Sequence, residues 1–208
     1  KTGFPEIMDG RVKTLHPIIH GGLLGRRGID ESVMQSHAIE PIDLLVVNLY
    51  PFKETISNPD TSLEQAIENI DIGGPAMIRG ASKNHDGVAV LVDPDDYNQF
   101  LENLDSDNLT IHYRQQLAAK AFGHTASYDA SINQYLSQSF SNETFTNQFF
   151  YTGELISKLR YGENPHQEAA FYKDDSVLNN KSLALAKQLQ GKELSYNNIA
   201  DSAAALDC

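Results

Sequence analysis

The 208-residue chain has a single cysteine, Cys208. One thiol excludes a framework of internal disulfides and fits a reducing compartment. Basic residues are also scarce: 16 Lys and Arg stand against 28 Asp and Glu, for a net charge of -12. That balance argues against nucleic acid as the main partner, because phosphate backbones need a broad basic surface, and against an anionic membrane face. No apolar run is long enough to span a bilayer. The first residues lack the basic, apolar and small-residue order of a secretory signal. Internal repeats and low-complexity tracts are missing as well. These absences leave the expectation of a soluble, cytosolic protein, long enough for a substantial core.

Against the acidic background, residues 1–27 carry Lys1, Arg11, Lys13, Arg26 and Arg27 with only Glu6 and Asp9 opposing them. The densest part is Gly10-Arg11-Val12-Lys13-Thr14-Leu15-His16-Pro17. In an extended segment Arg11 and Lys13 point the same way, since Val12 separates them. A local cationic patch on a polyanion suits a small anionic ligand. On spacing alone, a solvated basic turn is an equal reading.

Further along, Ile42 to Tyr50 is a near-continuous apolar run that reads as a strand buried on both faces, stopped by Pro51. Thr61-Ser62-Leu63-Glu64 has capping-box spacing, with Leu63, Ala66, Ile67 and Ile70 on one helical face. Gly73-Gly74-Pro75 opens another helix, with proline at the favoured first position. Gly87 to Val92 reads as a second buried strand, and Asp93-Pro94-Asp95-Asp96 caps the helix after it. Alternating strand and helix predict a doubly wound α/β domain with a mainly parallel sheet. From Thr110 to about Ser139 the apolar spacing is helical, with a bend or break expected at Gly123. A domain boundary is expected near Thr152-Gly153, giving domains 1–152 and 153–208. Short strands are expected at Leu155–Tyr161 and Ala169–Tyr172.

Asn48 and Tyr50 fall at the C-terminal end of the first strand, where open α/β sheets bind ligands. Gly73 and Gly74 offer backbone N–H groups at a helix start. An ordinary helix entry there, and an aromatic packed over the sheet end at Tyr50, are the plainer readings. Lys83 on its own reads as a helix-end lysine favoured by the dipole. His16 and His20 have the spacing of a metal pair on a helix. Pro17 and Gly21-Gly22 make a continuous helix unexpected, and no acidic or cysteine ligand completes a set, so no metal site is assigned.

Five stretches in order also resemble one family. They are Lys1 to Leu24, Val47-Asn48-Leu49-Tyr50-Pro51-Phe52, Ile70-Asp71-Ile72-Gly73-Gly74-Pro75, Lys83-Asn84-His85, and Leu159-Arg160-Tyr161-Gly162-Glu163-Asn164-Pro165-His166-Gln167. The family is that of the bifunctional purine biosynthesis enzymes. These join 5-aminoimidazole-4-carboxamide ribonucleotide (AICAR) formyltransferase to inosine monophosphate (IMP) cyclohydrolase. The resemblance implies a methylglyoxal synthase-like first domain without its earliest strands, followed by the start of a second α/β domain. It implies ring closure of formyl-AICAR to IMP with loss of water, without metal or redox cofactor. Lys83 takes the role of proton donor and acceptor, with Lys13 as a second cation and Tyr50 and Asp71 orienting the substrate. Ligand contacts carry over to Arg11, Val12, Thr14, Val47, Asn48, Ile72, Gly73 and Gly74, and His16 helps hold their loop. Arg160 and Tyr161 become AICAR contacts of the formyltransferase half. That half uses 10-formyltetrahydrofolate as co-substrate, and its formyl-transferring pair lies beyond Cys208. A homodimer is implied, and the helical stretch from Thr110 is a candidate for its interface. The rival reading is a non-catalytic phosphate- or nucleotide-binding regulatory module of the same fold.

Overall fold

A computed structural model describes residues 2–8, 10–140, 148–174 and 182–208, with only the backbone at Asp207. The chain forms two compact units, residues 1–142 and 143–208, so the boundary expected at 152/153 falls inside the second.

In the first unit a parallel pair of strands, β1 (Leu44–Val46) and β2 (Ala89–Leu91), is joined by three helices: α3 (Phe52–Ser57), α4 (Leu63–Glu68) and α5 (Gly73–Lys83). Helices α1 (Pro17–Leu24) and α2 (Glu31–Ser36) precede them; α6 (Tyr97–Asp105) and α7 (Ile111–Phe140) follow. The result is a mixed α/β fold on a parallel sheet, as expected. Leu44 sits opposite Ala89 and Val46 opposite Leu91, and the Val47 N–H extends the ladder to the Leu91 carbonyl at 3.0 Å.

β2 is buried throughout, as its apolar run predicts, and α1, α5 and α7 meet around it through Leu23, Ile78, Ala81, Leu117 and Ala121. Each large apolar side chain so buried contributes about 1.5–3 kcal/mol. β1 differs from expectation. Leu44 and Val46 are 41% and 46% exposed while Leu45 and Val47 pack against the core. Among the described residues only β2 pairs with β1, so its other edge is unpaired, and the face carrying Leu44 and Val46 is partly open. A second cluster joins Phe52, Ala66 and Tyr128, with edge-on ring contacts from Phe52 to Tyr128 and Tyr135.

Several helix ends depart from the sequence pattern. The capping box of α4 belongs to Ser62 and Gln65, one residue later than expected: the Gln65 N–H donates to the Ser62 hydroxyl at 3.1 Å and the Ser62 N–H to the Gln65 side chain at 2.9 Å. α5 begins at Gly73, so Pro75 is its third residue and not its first, still within the turn whose N–H groups have no helical acceptor. α7 runs through Gly123 without interruption, because the residues either side pack on both core clusters. α1 runs through Gly21-Gly22, against expectation. A Cβ at Gly22 would lie 2.7 Å from the Glu40 carbonyl oxygen, and one at Gly21 would lie 2.8 Å from Ile39 Cδ1. The glycines let helix and chain touch, and that contact outweighs their poor helix propensity.

The second unit holds an antiparallel hairpin, β3 (Gly153–Leu159) and β4 (Ala169–Asp174), and helix α8 (Tyr196–Asp207). α8 starts on a capping box between buried Ser195 and Asn198.

Candidate functional site

The basic run of the first unit is shaped by a tight turn. Ile7 and Val12 bridge through paired backbone bonds, with Met8 and Gly10 at positive φ (57° and 86°) inside the turn. Arg11 and Lys13 flank Val12, as alternation predicts, and each meets a carboxylate: Arg11 pairs with Glu68, and Lys13 Nζ lies 3.3 Å from Glu6 Oε2. Both pairs are largely exposed and so worth at most about 1 kcal/mol each. His16 ends the run as the N-cap of α1, its Nδ1 accepting the Ile18 N–H at 3.1 Å with Pro17 at the first helical position. His16 thus holds the loop. No group of three metal-ligating side chains forms among the described residues.

Thr14 reaches the first turn of α5. A Cβ at Gly73 would meet its hydroxyl, so any larger residue there would force the Thr14 side chain to turn away. One residue on, a Cβ at Gly74 would lie 2.6 Å from Asp71 Oδ2 and 2.7 Å from Leu49 Cδ2. Asp71 caps the helix, its Oδ1 accepting the Gly74 N–H at 2.8 Å. The Asp71 N–H in turn donates to the Tyr128 hydroxyl at 2.9 Å, and that hydroxyl donates to the Asn69 carbonyl at 3.2 Å. Burial raises the Tyr128 phenol above its ordinary pKa, which keeps it a donor. Sequence reasoning did not single out Tyr128, which fell within the helical stretch from Thr110. The signal available was that a buried tyrosine must find a partner for its O–H.

Leu49 places the end of the β1 segment against this turn. Asn48 and Tyr50 lie on its exposed side, with Tyr50 53% exposed, and Ile72 is exposed as well. Arg11, Val12, Lys13 and Thr14, the segment 47–50, and Asp71, Ile72, Gly73 and Gly74 thus belong to one region around the start of α5. The helix dipole there favours an anion, although Asp71 already takes the Gly74 N–H and Pro75 has none to offer. Lys83 does not join them. It is the last residue of α5, about 15 Å along the axis from Gly73. It lines a separate cavity instead.

In the second unit the Arg160 guanidinium stacks 5.0 Å above the Tyr161 ring, and the loop they open is closed by the Gly162 N–H to the Gln167 carbonyl at 2.8 Å. The Arg160 N–H donates to the Leu194 carbonyl, and the Tyr196 N–H to the Tyr161 carbonyl, so the start of α8 fixes both backbones. The exposed guanidinium remains available to an anion.

The sequence of the chain matches the AICARFT/IMPCHase bienzyme family over residues 81–208 and the MGS-like domain over residues 1–76. Proteins named bifunctional purine biosynthesis protein PurH from Oceanobacillus iheyensis, Bacillus subtilis and Listeria welshimeri are each 57% identical to it, over 209, 208 and 208 residues. Each alignment takes in 99% of this chain and 40% of the relative, so the chain spans about two fifths of their length. A solved structure described as the crystal structure of ForH is 37% identical with a TM-score of 0.59, covering 68% of this chain and 74% of its own. Since the first family match takes in more than half of the residues, the chain belongs to the AICARFT/IMPCHase bienzyme family, with an MGS-like domain at its start.

Proposed function

We propose that this protein acts in purine biosynthesis and that its first unit closes formyl-AICAR to IMP. The observation that carries the reading is the meeting of Thr14, Asp71, Gly73 and Gly74 at the start of α5, with Arg11 and Lys13 on the adjoining turn. The carboxamide nitrogen attacks the formyl carbon and gives up a proton. The former formyl oxygen gains it, and that carbon–oxygen bond then breaks. The second proton comes from the formamido nitrogen, and water leaves. Both reacting groups belong to one substrate, so positioning supplies much of the acceleration.

Arg11 and Thr14 hold the phosphate, with Val12, Val47, Asn48 and Ile72 bordering the nucleotide. Leaving Glu68 and Glu6 costs Arg11 and Lys13 at most about 1 kcal/mol each. A charge-assisted bond to the ligand returns about 1.5–3 kcal/mol, so the exchange favours binding. Lys13 and Tyr50 face the oxygen that becomes anionic. Asp71 keeps its second carboxylate oxygen for the carboxamide, Gly73 presents backbone, and Gly74 keeps the ligand's approach free of a side chain while its N–H stays on Asp71. Lys83 is the proposed proton donor and acceptor on the family resemblance alone, since in this chain it stands about 15 Å along α5 from Gly73. Arg160 and Tyr161 hold AICAR for the formyltransferase step, with 10-formyltetrahydrofolate as co-substrate, in a homodimeric cytosolic enzyme.

IMP formation from purified formyl-AICAR, followed with this sequence in a polypeptide of its relatives' full length, tests the reading. Turnover should fall about 10²–10⁴-fold in Lys83→Ala if Lys83 moves the proton, and comparably in Lys13→Ala. An unchanged Lys83→Ala rate removes Lys83 from the chemistry. No turnover by the folded wild-type protein overturns the cyclohydrolase reading.

A further inference from the structure

Residues 69–72 join α4 to α5, and some backbone groups of this short connection have no helical partner. Tyr128 supplies two of the missing partners from α7. Its oxygen accepts the Asp71 N–H at 2.9 Å, and its proton goes to the Asn69 carbonyl at 3.2 Å. A hydroxyl has one proton to donate, so this buried one has none to offer a substrate.

The ring of the same side chain reaches the Tyr50 segment. It meets Phe52 edge-on, with ring centres 6.2 Å apart. Phe52 is 1% exposed, and its N–H donates to the Tyr50 carbonyl at 2.8 Å. Leu49 packs on the same cluster, so Tyr50 stands exposed with an anchored residue on either side. Tyr128 thus touches the Asp71 turn with its hydroxyl and the Tyr50 segment with its ring. Helix α7, which carries it, is firmly held. Arg114 donates to the His85 and Asp86 carbonyls at 2.9 and 3.1 Å, and Lys120 Nζ lies 2.7 Å from the Asp93 carboxylate and 2.8 Å from that of Asp96. Reacting groups are placed accurately only on supports that do not move.

We propose that Tyr128 is a positioning residue for the ring closure, holding the Asp71 carboxylate in register with Tyr50 across the bound substrate. For its chemistry the role rests on the cyclohydrolase reading. Tyr128 touches no reacting atom and acts through Asp71, whose Oδ1 stays on the Gly74 N–H at 2.8 Å and whose Oδ2 is left for the carboxamide. Without the hydroxyl the Asn69 carbonyl and the Asp71 N–H lose their shared partner, and the turn can shift. A displacement of about 1 Å can cost about 10²-fold in rate.

The test is IMP formation from formyl-AICAR by this sequence in a polypeptide of its relatives' full length, wild type beside Tyr128→Phe. The kcat should fall about tenfold or more and KM should rise by less, because the phosphate contacts are untouched. Tyr135→Phe takes a hydroxyl from the other ring on Phe52 and should leave kcat unchanged. An equal fall in that variant assigns the effect to packing and overturns the role. On an Asp71→Ala background, Tyr128→Phe should change the rate by less than about twofold. An undiminished fall there overturns action through Asp71. Hydrogen exchange of residues 69–74, read by mass spectrometry in the same polypeptides, should quicken about tenfold in Tyr128→Phe. Unchanged kcat or unchanged exchange overturns the positioning. Absence of turnover in the folded wild-type protein overturns the cyclohydrolase reading and the ring closure with it, whereas quickened exchange would still establish the hold on Asp71.

Discussion

Tyr128 shows how much one hydroxyl can organise. It bridges the Asp71 N–H and the Asn69 carbonyl from a helix more than fifty positions away, and so sets where Asp71 caps α5. Tyr128→Phe keeps the ring packing on Phe52 and strands both backbone groups. The substitution should cost about 1–3 kcal/mol in urea denaturation. IMP affinity should fall with it; unchanged stability and affinity would show that the hydroxyl positions nothing. Gly73 was legible from its type as a helix-start residue with an open backbone N–H, whereas Asp71 and Thr14 were expected at the site only through the family resemblance. Tyr128 was not legible, because helical spacing says which side chain faces the core and not what its polar tip will meet. The separation of Lys83 from Asp71 was legible only as a condition, since it depends on α5 staying straight and continuous to Lys83, as it does.

Among the elements, α1 and α7 make opposite use of glycine. At Gly22 an added Cβ meets the Glu40 backbone, which cannot swing aside, so Gly22→Ala should destabilise the fold by about 1–3 kcal/mol despite alanine's better helix propensity. At Gly123 an added Cβ meets nothing within 4 Å. Gly123→Ala should therefore stabilise α7 by about 0.5–1 kcal/mol, read as a raised melting temperature. A stabilising Gly22→Ala would mean that the 39–42 segment yields to the helix. Sequence pattern treated these glycines as breaks because it sees propensity, which tertiary packing can override. It found β2 because burial on both faces leaves a continuous apolar run, and missed the open face of β1 because the same kind of run is present there although Leu44 and Val46 are left partly uncovered.

Across the whole molecule, stability should hold a plateau near neutral pH and fall on both sides. Burial lowers the His124 imidazole below its ordinary pKa against the pull of Asp93, with Lys53 and Lys120 adding to the lowering. As pH drops through about 6.5 the unfolded chain takes up that proton first, so the contribution of His124 is present above this value and lost toward its lower folded pKa. Asp93 is held below the usual carboxylate range by the Lys120 hydrogen bond at 2.7 Å and its bond from the Asp95 N–H. Its contribution is present above about pH 4 and fades as pH falls through the folded value. Lys120 is partly desolvated, which lowers its pKa, but its bonds to Asp93 and Asp96 outweigh that and leave it raised. Its contribution is complete below about pH 10.4 and is lost as pH rises through the folded value. Melting temperature against pH should show the first acid loss as pH falls below about 6.5, and His124→Gln should flatten that segment alone. A slope unchanged in the variant would assign the loss to other groups.

The sequence by itself determined the α/β class, the buried β2 strand, the alternating cations of the basic turn, the hairpin of the second unit and the family to which the chain belongs. These follow from periodicity, residue type and local chemistry, all written within a few neighbouring positions. Only the tertiary structure decided which distant groups meet. It brought Thr14 against Gly73, paired Arg11 with Glu68, and set Tyr128 on Asp71. It also placed Lys83 in a carboxylate-free cavity at the other end of α5. Those outcomes depend on close packing between segments far apart in the chain, where the fit of whole surfaces overrides the preference of any one residue.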